Sequence, residues 1–103
     1  MPDERSQREE THRAYAAGAR RYADRPDDRE WVRPLVATFV SLLERGGLVA
    51  DLGCASGRET VELRQAGLHV VGLDIVQEFL TIATERYPCR GYIRGTLTSL
   101  PFR

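Results

Sequence analysis

The segment of residues 48–57, Leu-Val-Ala-Asp-Leu-Gly-Cys-Ala-Ser-Gly, restricts the fold of this chain more than any other stretch. A short apolar run holds Asp51 near its end, and Gly53 and Gly57 follow. This pattern is typical of a buried strand that turns sharply into a helix, because glycine permits positive φ angles and a close approach of backbone to ligand. The first N–H groups of such a helix face whatever is bound at the turn. A tight turn without a ligand has the same short signature, so both interpretations stay open on this segment alone.

Strand and helix patterns alternate through the second half of the chain. Short apolar runs predict strands over residues 48–52, 68–73 and 91–95. The segments between them, 57–66 and 76–86, have helical character and end at Gly-Leu and at Tyr-Pro. Strands that alternate with helices of this length form a parallel sheet with right-handed crossovers. The predicted fold class is therefore α/β, with a Rossmann-like parallel sheet.

The first half of the chain is predicted to form two helices that follow a charged N-terminal segment. Residues 1–10 are polar and are predicted to be disordered or frayed. Residues 11–24 are rich in Ala and Arg and predict a helix. Residues 29–45 carry apolar side chains at intervals of three and four, which predicts a second helix with a wide apolar face that is buried or half-buried. The face contains Trp31, Leu35, Phe39, Leu42 and Leu43, with Val32, Val36 and Val40 beside them. We expect residues 11–103 to form one domain, with 11–45 as its N-terminal helices.

The composition excludes several classes of function. The 15 basic residues, all arginine, balance 15 acidic residues, so nothing indicates binding to nucleic acid or to an anionic membrane. The absence of lysine excludes Schiff-base chemistry. Cys54 and Cys89 fit neither a disulfide framework nor a metal cluster, and no apolar run approaches a membrane span. We therefore expect a cytoplasmic protein that holds no metal ion.

Asp74 is the second residue that indicates a ligand. It stands 21 residues after Gly53, at the end of the second predicted strand. In dinucleotide-binding folds an acidic side chain at this point accepts hydrogen bonds from the ribose hydroxyls. Aspartate is also a preferred helix N-cap, but the spacing and the strand context favour ribose. Asp51 has a similar alternative, since it can satisfy the backbone donors of the glycine turn.

These residues resemble a known family. The segment 51–57 together with Asp74 resembles the first and second signature motifs of class I S-adenosylmethionine-dependent methyltransferases. The first motif of that family is Asp-x-Gly-x-Gly-x-Gly, and here Ala55 stands at the middle glycine. The segment 95–102, Gly-Thr-Leu-Thr-Ser-Leu-Pro-Phe, resembles the later Gly-Asp-Ala-x-x-Leu-Pro-Phe segment of the family. The resemblance covers residues 11–102 and implies S-adenosylmethionine as the cofactor.

The resemblance also implies a role for individual positions. Residues from Gly53 to Gly57 line the methionine portion of the cofactor, and Asp51 orients its amino group. Asp74 holds the ribose hydroxyls, and Ile75 packs on the adenine. The expected cofactor-binding residues are Tyr15, Tyr22, Asp51, Gly53, Cys54, Ala55, Gly57, Asp74, Ile75, Thr96 and Leu97.

Three of these positions carry a qualification. Thr96 replaces the aspartate with which the family contacts the adenine amino group, so only a neutral hydroxyl is available there. Tyr15 and Tyr22 resemble aromatic residues that close over the cofactor, but ordinary helix packing explains them equally well. Outside this set, His12 near the start of the first helix is only a weak catalytic candidate. No residue is assigned as catalytic.

The resemblance implies a partial fold. The family has a seven-stranded sheet, of which this chain supplies strands 3-2-1 with two N-terminal helices, and residues 48–103 form the cofactor-binding half. The first strand would then be an apolar edge without a neighbour, which invites pairing with another chain. We expect the cofactor-binding subunit of a split methyltransferase, which methylates a small molecule once a second polypeptide supplies the remaining strands. The alternatives are a non-catalytic binding or interaction module that pairs with another copy of itself, and a truncated fragment.

Overall fold

The structure, a computed structural model, describes residues 3–89 and 91–102. These residues contain five helices and three strands, and strands and helices alternate from the first strand onward, as the sequence predicts. They are α1 (Glu4–Ala17), α2 (Ala19–Ala23), α3 (Arg33–Ser41), β1 (Leu48–Leu52), α4 (Arg58–Gln65), β2 (His69–Asp74), α5 (Gln77–Arg86) and β3 (Tyr92–Arg94).

The three strands form one parallel sheet in the order β1-β2-β3. Leu48 of β1 stands opposite His69 of β2, and Gly72 of β2 stands opposite Tyr92 of β3. Because the strands are parallel, the loops that follow them meet at one edge of the sheet, where open α/β folds bind ligands. The predicted partial Rossmann-like sheet is therefore confirmed, with strand ends that differ from the prediction by at most one residue.

Two apolar clusters hold the helices on the sheet. The first joins α2 to α5 and contains Ala19, Ala23, Val76, Phe79 and Ile82. The second joins α4 to β2 through Leu63, Leu68 and Val70, and Val36 and Val40 of α3 pack against it. The loops that follow the strands are thus anchored by packed helices on the same sheet.

The first helix begins earlier than predicted. The Asp3 carboxylate accepts a hydrogen bond from the Ser6 N–H at 2.7 Å, which caps the helix, and two ion pairs one turn apart follow it. The expected frayed segment over residues 1–10 is therefore wrong from Glu4 onward, while Met1 and Pro2 lie outside the described residues. Gly18 divides the predicted helix over 11–24 into α1 and α2.

The apolar face of α3 is largely exposed, which corrects the expected burial. Trp31 is 73% exposed and Leu42 is 79% exposed, and Leu35, Phe39 and Leu43 are exposed as well. Val36 and Val40 pack against the second apolar cluster, while no element within the described residues covers Leu35 and Phe39. The helix is also shorter than predicted, with Pro34 in its first turn.

Strand β1 is an edge of the sheet within the described residues, as the resemblance implied. It pairs with β2 on one side, and Leu48 is 81% exposed at its start. Leu52 at its end is exposed too. No helix in the described part of the chain has the length and apolar character that a membrane crossing requires.

Candidate functional site

A cavity of about 710 Å³ lies at the carboxyl edge of the sheet. Its floor is formed by the loops that follow β1, β2 and β3, and residues of α1 line its other side. This volume is within the range of small-molecule sites, about 300–1,000 Å³. Eight predicted site residues line it, namely Tyr15, Tyr22, Gly53, Ala55, Asp74, Ile75, Thr96 and Leu97.

The loop after β1 is held firmly against β2. The N–H groups of Gly53 and Cys54 both donate to the carbonyl oxygen of Leu73, at 2.8 and 2.9 Å. Gly53 has a φ of 75°, and a Cβ atom there would meet no heavy atom within 4 Å, so this glycine leaves open space at the cavity. Ala55 also takes a left-handed conformation, with a φ of 48°. The alanine thus occupies a backbone conformation that favours glycine, at a cost of about 1 kcal/mol.

Asp74 clamps two of the loops together. One carboxylate oxygen, Oδ2, accepts a hydrogen bond from the Ala55 N–H, and the other, Oδ1, accepts one from the Val76 N–H, both at 2.9 Å. Val76, and not Asp74, is the N-cap residue of α5. Each carboxylate oxygen has two acceptor positions, so Asp74 can hold both loops and still accept hydrogen bonds from a ligand in the cavity.

Asp51 lies behind the cavity wall rather than on it. Its Oδ2 accepts a hydrogen bond from the Thr60 hydroxyl at 2.6 Å. Burial raises the pKa of the Asp51 carboxyl, and the negative charges of Glu59 and Asp74 raise it further, while the Thr60 hydrogen bond lowers it. The residue therefore places a half-buried carboxyl group just beneath the glycine loop.

Two further predicted residues do not line the cavity. Cys54 is buried, with its sulfur 3.1 Å from the place of a Cβ at Gly72, and burial raises the pKa of its thiol to about 12. Gly57 is buried as well, and a Cβ there would lie 3.0 Å from the Tyr92 hydroxyl and 3.2 Å from the Ala83 Cβ. Glycine is thus required at this position by the packing of α4 against β3 and α5.

Tyr15 and Tyr22 form an aromatic cluster with Phe79. The ring centroids are 6.2 Å apart for the two tyrosines, and Phe79 lies 6.0 and 5.3 Å from them. These distances are typical of favourable edge-on aromatic pairs. The two rings pack on Phe79 of α5 and also line the cavity, and their closing over a cofactor stays a prediction.

Two arginines fasten α2 to the rest of the fold. The Arg58 guanidinium, directly after the glycine loop, donates to the carbonyl oxygens of Ala23 at 2.8 Å and of Arg25. Arg86 of α5 donates to the same Ala23 carbonyl at 3.0 Å. Cationic groups at the C-terminal end of a helix complement its dipole. The contacts fix the segment that carries Tyr22 next to the cavity.

The sequence reasoning missed the polar residues of α1 that line the cavity. It began this helix at residue 11, so the first two turns were left out. A signal was present, because Asp3 and Ser6 stand at capping distance and oppositely charged side chains follow at a spacing of four residues. The missed residues are Glu4, Gln7, Arg8, Glu9 and Thr11, and His12 joins them on the wall.

A parallel sheet with a glycine loop after its first strand and an acidic residue after its second is shared by dinucleotide-binding folds and by class I S-adenosylmethionine-dependent methyltransferases. A family model described as a methyltransferase domain matches residues 50–103. The chain belongs to this family, and the resemblance seen in the sequence is confirmed. S-adenosylmethionine is the cofactor of this class, as the name of a solved structure from Mesorhizobium loti states.

Curated relatives match the second half of the chain. An uncharacterized methyltransferase of Synechocystis sp. is 42% identical over 57 residues, which are 55% of this chain and 27% of that protein. A malonyl-(acyl-carrier protein) O-methyltransferase of Pectobacterium atrosepticum is 38% identical over 53 residues, which are 52% of this chain and 21% of that protein. The chain thus matches about a quarter of the length of these relatives.

Solved structures with the same fold are also longer. The Mesorhizobium loti methyltransferase is 28% identical with a TM-score of 0.54, over 67% of this chain and 33% of that one. A methyltransferase in complex with a methyltransferase activator from Haloferax volcanii is 28% identical with a TM-score of 0.64, over 99% of this chain and 43% of that one. A TehB-like SAM-dependent methyltransferase from Corynebacterium glutamicum, 22% identical, shares the fold with a TM-score of 0.62, over 80% of this chain and 47% of that one.

Proposed function

We propose that this chain binds S-adenosylmethionine in the cavity beneath α1 and takes part in methyl transfer to a small molecule. The observation that carries the proposal is the meeting of Gly53, Asp74 and Ile75 at one cavity in a chain of the methyltransferase family. Gly53 and Ala55 would hold the methionine portion of the cofactor, and Asp74 would accept hydrogen bonds from the ribose hydroxyls. Ile75 would hold the adenine together with Thr96 and Leu97 of the loop after β3.

The shape of the cavity supports this arrangement. The backbone at Gly53 has open space where a side chain would project, which is the cradle that a ligand needs for close contact with a loop. Ile75 is exposed at the wall, which suits an apolar contact with a flat ring system. Tyr15 of α1 and Tyr22 of α2 line the cavity with exposed rings, which would cover a bound cofactor.

The charge of the site supports a cationic ligand. S-adenosylmethionine, when bound, supplies an electrophilic methyl group on a positively charged sulfur. Asp74 on the wall and Asp51 behind it place two carboxylates near the glycine loop. The chain's contribution to transfer is to hold the donor in a fixed orientation, since alignment of reactants accounts for much of the acceleration in such displacements.

We further propose that a second polypeptide completes the enzyme. The apolar face of α3 is exposed, and β1 is an exposed edge strand within the described residues. Contiguous exposed apolar surface and open strand edges mark sites of association. The solved relatives are at least twice as long as the part that this chain matches, so their remaining parts supply a template for the partner. A dimer that joins two β1 edges, without catalysis, is the second candidate, because the same exposed edge serves both.

A pair of glycine variants tests the cofactor site. Gly53 and Gly46 have similar φ angles, 75° and 82°, and a Cβ meets nothing within 4 Å at either. Alanine at each position should therefore lower the free energy of unfolding equally, by about 1 kcal/mol. Only Gly53→Ala fills space in the cavity, so it should weaken the binding of S-adenosylmethionine at least tenfold in titration calorimetry. Gly46→Ala should bind the cofactor with the wild-type affinity. Equal affinities for the two variants would overturn the proposed site.

Native mass spectrometry tests the partner. The tagged chain is purified gently from its source cells with S-adenosylmethionine present. A complex with a different polypeptide that carries further strands of the fold, and that methylates a small molecule, supports the split enzyme. A homodimer that binds cofactor without transfer supports the second candidate. A monomer without cofactor contradicts both and leaves the truncated fragment.

A further inference from the structure

We infer that His12 of α1 contacts the methyl acceptor and takes its hydroxyl proton, and that the acceptor is a small aromatic molecule of the phenol class. The inference rests on the proposed function, because it names the substrate class of the same cavity. It assigns a task to a histidine that lines the cavity and has no partner among the residues that the structure describes.

The cavity has two chemically different sides. The loops after the three strands form one side, where the proposed function places the cofactor. The other side is a polar face of α1, on which Glu4, Arg8 and His12 follow each other at intervals of four residues. Tyr15 comes three residues later, so all four side chains share one face of the helix. A second small molecule in the cavity would therefore lie against this face of α1.

His12 differs from the polar residues around it because its side chain has no partner. The Arg8 guanidinium pairs with the Glu4 carboxylate one turn earlier, and Glu9 pairs with an arginine outside the cavity. The Thr11 hydroxyl donates to a backbone carbonyl oxygen four residues earlier, at 2.9 Å. The imidazole of His12 is half-buried and forms no hydrogen bond or ion pair within the described part of the chain. Its ring nitrogens are therefore available to a ligand.

The turn of α1 that carries His12 is anchored to the fold. The Tyr15 ring lies against Phe79 of α5, with the ring centroids 6.0 Å apart. Ala16, one turn after His12, packs against the first apolar cluster. These contacts hold the turn beside the cavity, so the imidazole keeps its place on the wall.

The lining of the cavity favours a flat acceptor that carries no negative charge. The rings of Tyr15 and Tyr22 are 48% and 42% exposed and offer an aromatic surface close to His12 in the chain. Aromatic rings pack favourably on one another. The charged groups of the described lining are three carboxylates and one guanidinium, which belong to Glu4, Glu9, Asp74 and Arg8. Because like charges repel, an anionic acceptor would be disfavoured, whereas a neutral phenol fits both conditions.

A phenol needs a base at the moment of transfer, because its oxygen is a weak nucleophile while it holds its proton. Histidine is the side chain that most often acts as a general base. The acceptor oxygen bonds to the methyl carbon as the carbon–sulfur bond breaks, and the electron pair of that bond stays on the sulfur. The hydroxyl proton passes to the imidazole of His12, which then gives it to water.

The probe for this contact is 4-nitrophenol, because its anion is yellow and its neutral form is not. It is titrated at one fixed pH into the chain together with any polypeptide that co-purifies with it. The site is first saturated with S-adenosylhomocysteine, which has no methyl group to transfer. His12→Asn removes the base, and His69→Asn is the matched control. His69 is exposed at the start of β2, at the opposite end of that strand from Asp74.

The wild type and His69→Asn should bind the probe saturably, and the anionic fraction of the bound probe should exceed that of the free probe at the same pH. His12→Asn should bind the probe about tenfold more weakly and should leave the bound probe neutral. Its affinity for S-adenosylhomocysteine should stay within about twofold of the wild type, because the proposed cofactor contacts are unchanged.

A His12→Asn protein that binds and ionises the probe as the wild type does overturns the inference. A wild type that binds S-adenosylhomocysteine but no 4-nitrophenol also overturns it and leaves the proposed function intact. A wild type that binds neither S-adenosylmethionine nor S-adenosylhomocysteine overturns both. If circular dichroism shows that His12→Asn has lost helix content, His12→Gln carries the same test, because glutamine is the better helix former.

Discussion

Replacement of Asp74 by asparagine disturbs both the loops and the proposed ribose contact. In the wild type, the Asp74 carboxylate accepts hydrogen bonds from the N–H groups of Ala55 and Val76, both at 2.9 Å. Asparagine keeps one acceptor oxygen, but its amide NH₂ would face the other N–H, so one of the two bonds is lost. A charge-assisted hydrogen bond contributes about 1.5–3 kcal/mol, and Asp74 is only half-buried, so we expect a loss of about 1.5 kcal/mol in the free energy of unfolding. For a domain of this size the melting temperature should fall by about 6–10 °C.

The cofactor should be affected in the same variant. Loss of one charged acceptor for a ribose hydroxyl should lower the affinity for S-adenosylmethionine about 10- to 30-fold in titration calorimetry. Asp24→Asn is the matched control, because Asp24 forms an exposed ion pair with Arg86 outside the cavity. That variant should bind cofactor as the wild type does and should unfold within about 1–2 °C of it. An Asp74→Asn protein with unchanged melting temperature and unchanged affinity would refute the reasoning.

Three further predictions concern packing, reactivity and pH. Gly57→Ala should destabilise the fold by about 2–3 kcal/mol in denaturant titration, because its Cβ would lie 3.0 Å from a tyrosine hydroxyl at a positive φ. At pH 8 iodoacetamide should modify the half-buried Cys89 before Cys54, whose pKa is raised to about 12 by burial, as peptide mass spectrometry would report. The hydrogen bonds from Arg29 lower the pKa of Asp27 to about 2, below its ordinary value of 3.8. The contribution of Asp27 to stability is therefore present above pH 3.8 and is lost as the pH falls through about 2. In denaturant titrations over this range, the free energies of unfolding of Asp27→Asn and of the wild type should approach each other as the pH falls.

Much of the fold could be predicted because local rules and tertiary structure agree. The apolar runs of the strands, the helical periodicity of α4 and α5, and glycines at turns all specify the same parallel sheet. Gly53 and Asp74 could be placed at one site from spacing alone, since parallel strands bring their carboxyl ends together. The start of α1 was missed because charged composition outweighed the cap at Asp3 and the ion pairs that follow it.

The remaining features depend on which residues pack against each other in the folded chain. The periodicity of the sequence carries no information about these tertiary contacts. The spacing of Trp31 and Leu35 indicates an apolar face but not whether anything covers it. Gly57 belongs to the same motif as Gly53, yet it faces Tyr92 from a strand that lies 35 residues later in the chain. The partner of Asp51 likewise follows from the approach of α4 to β1, which places the Thr60 hydroxyl beside it.

The binding of S-adenosylmethionine beneath α1 is tested most directly by an amide ¹H–¹⁵N NMR titration of the chain, together with any polypeptide that co-purifies with it. The account predicts saturable shifts at Gly53, Ala55, Ile75 and Leu97, with Gly46 unmoved as the internal control. The absence of saturable shifts, or shifts confined to residues outside the cavity, would contradict it.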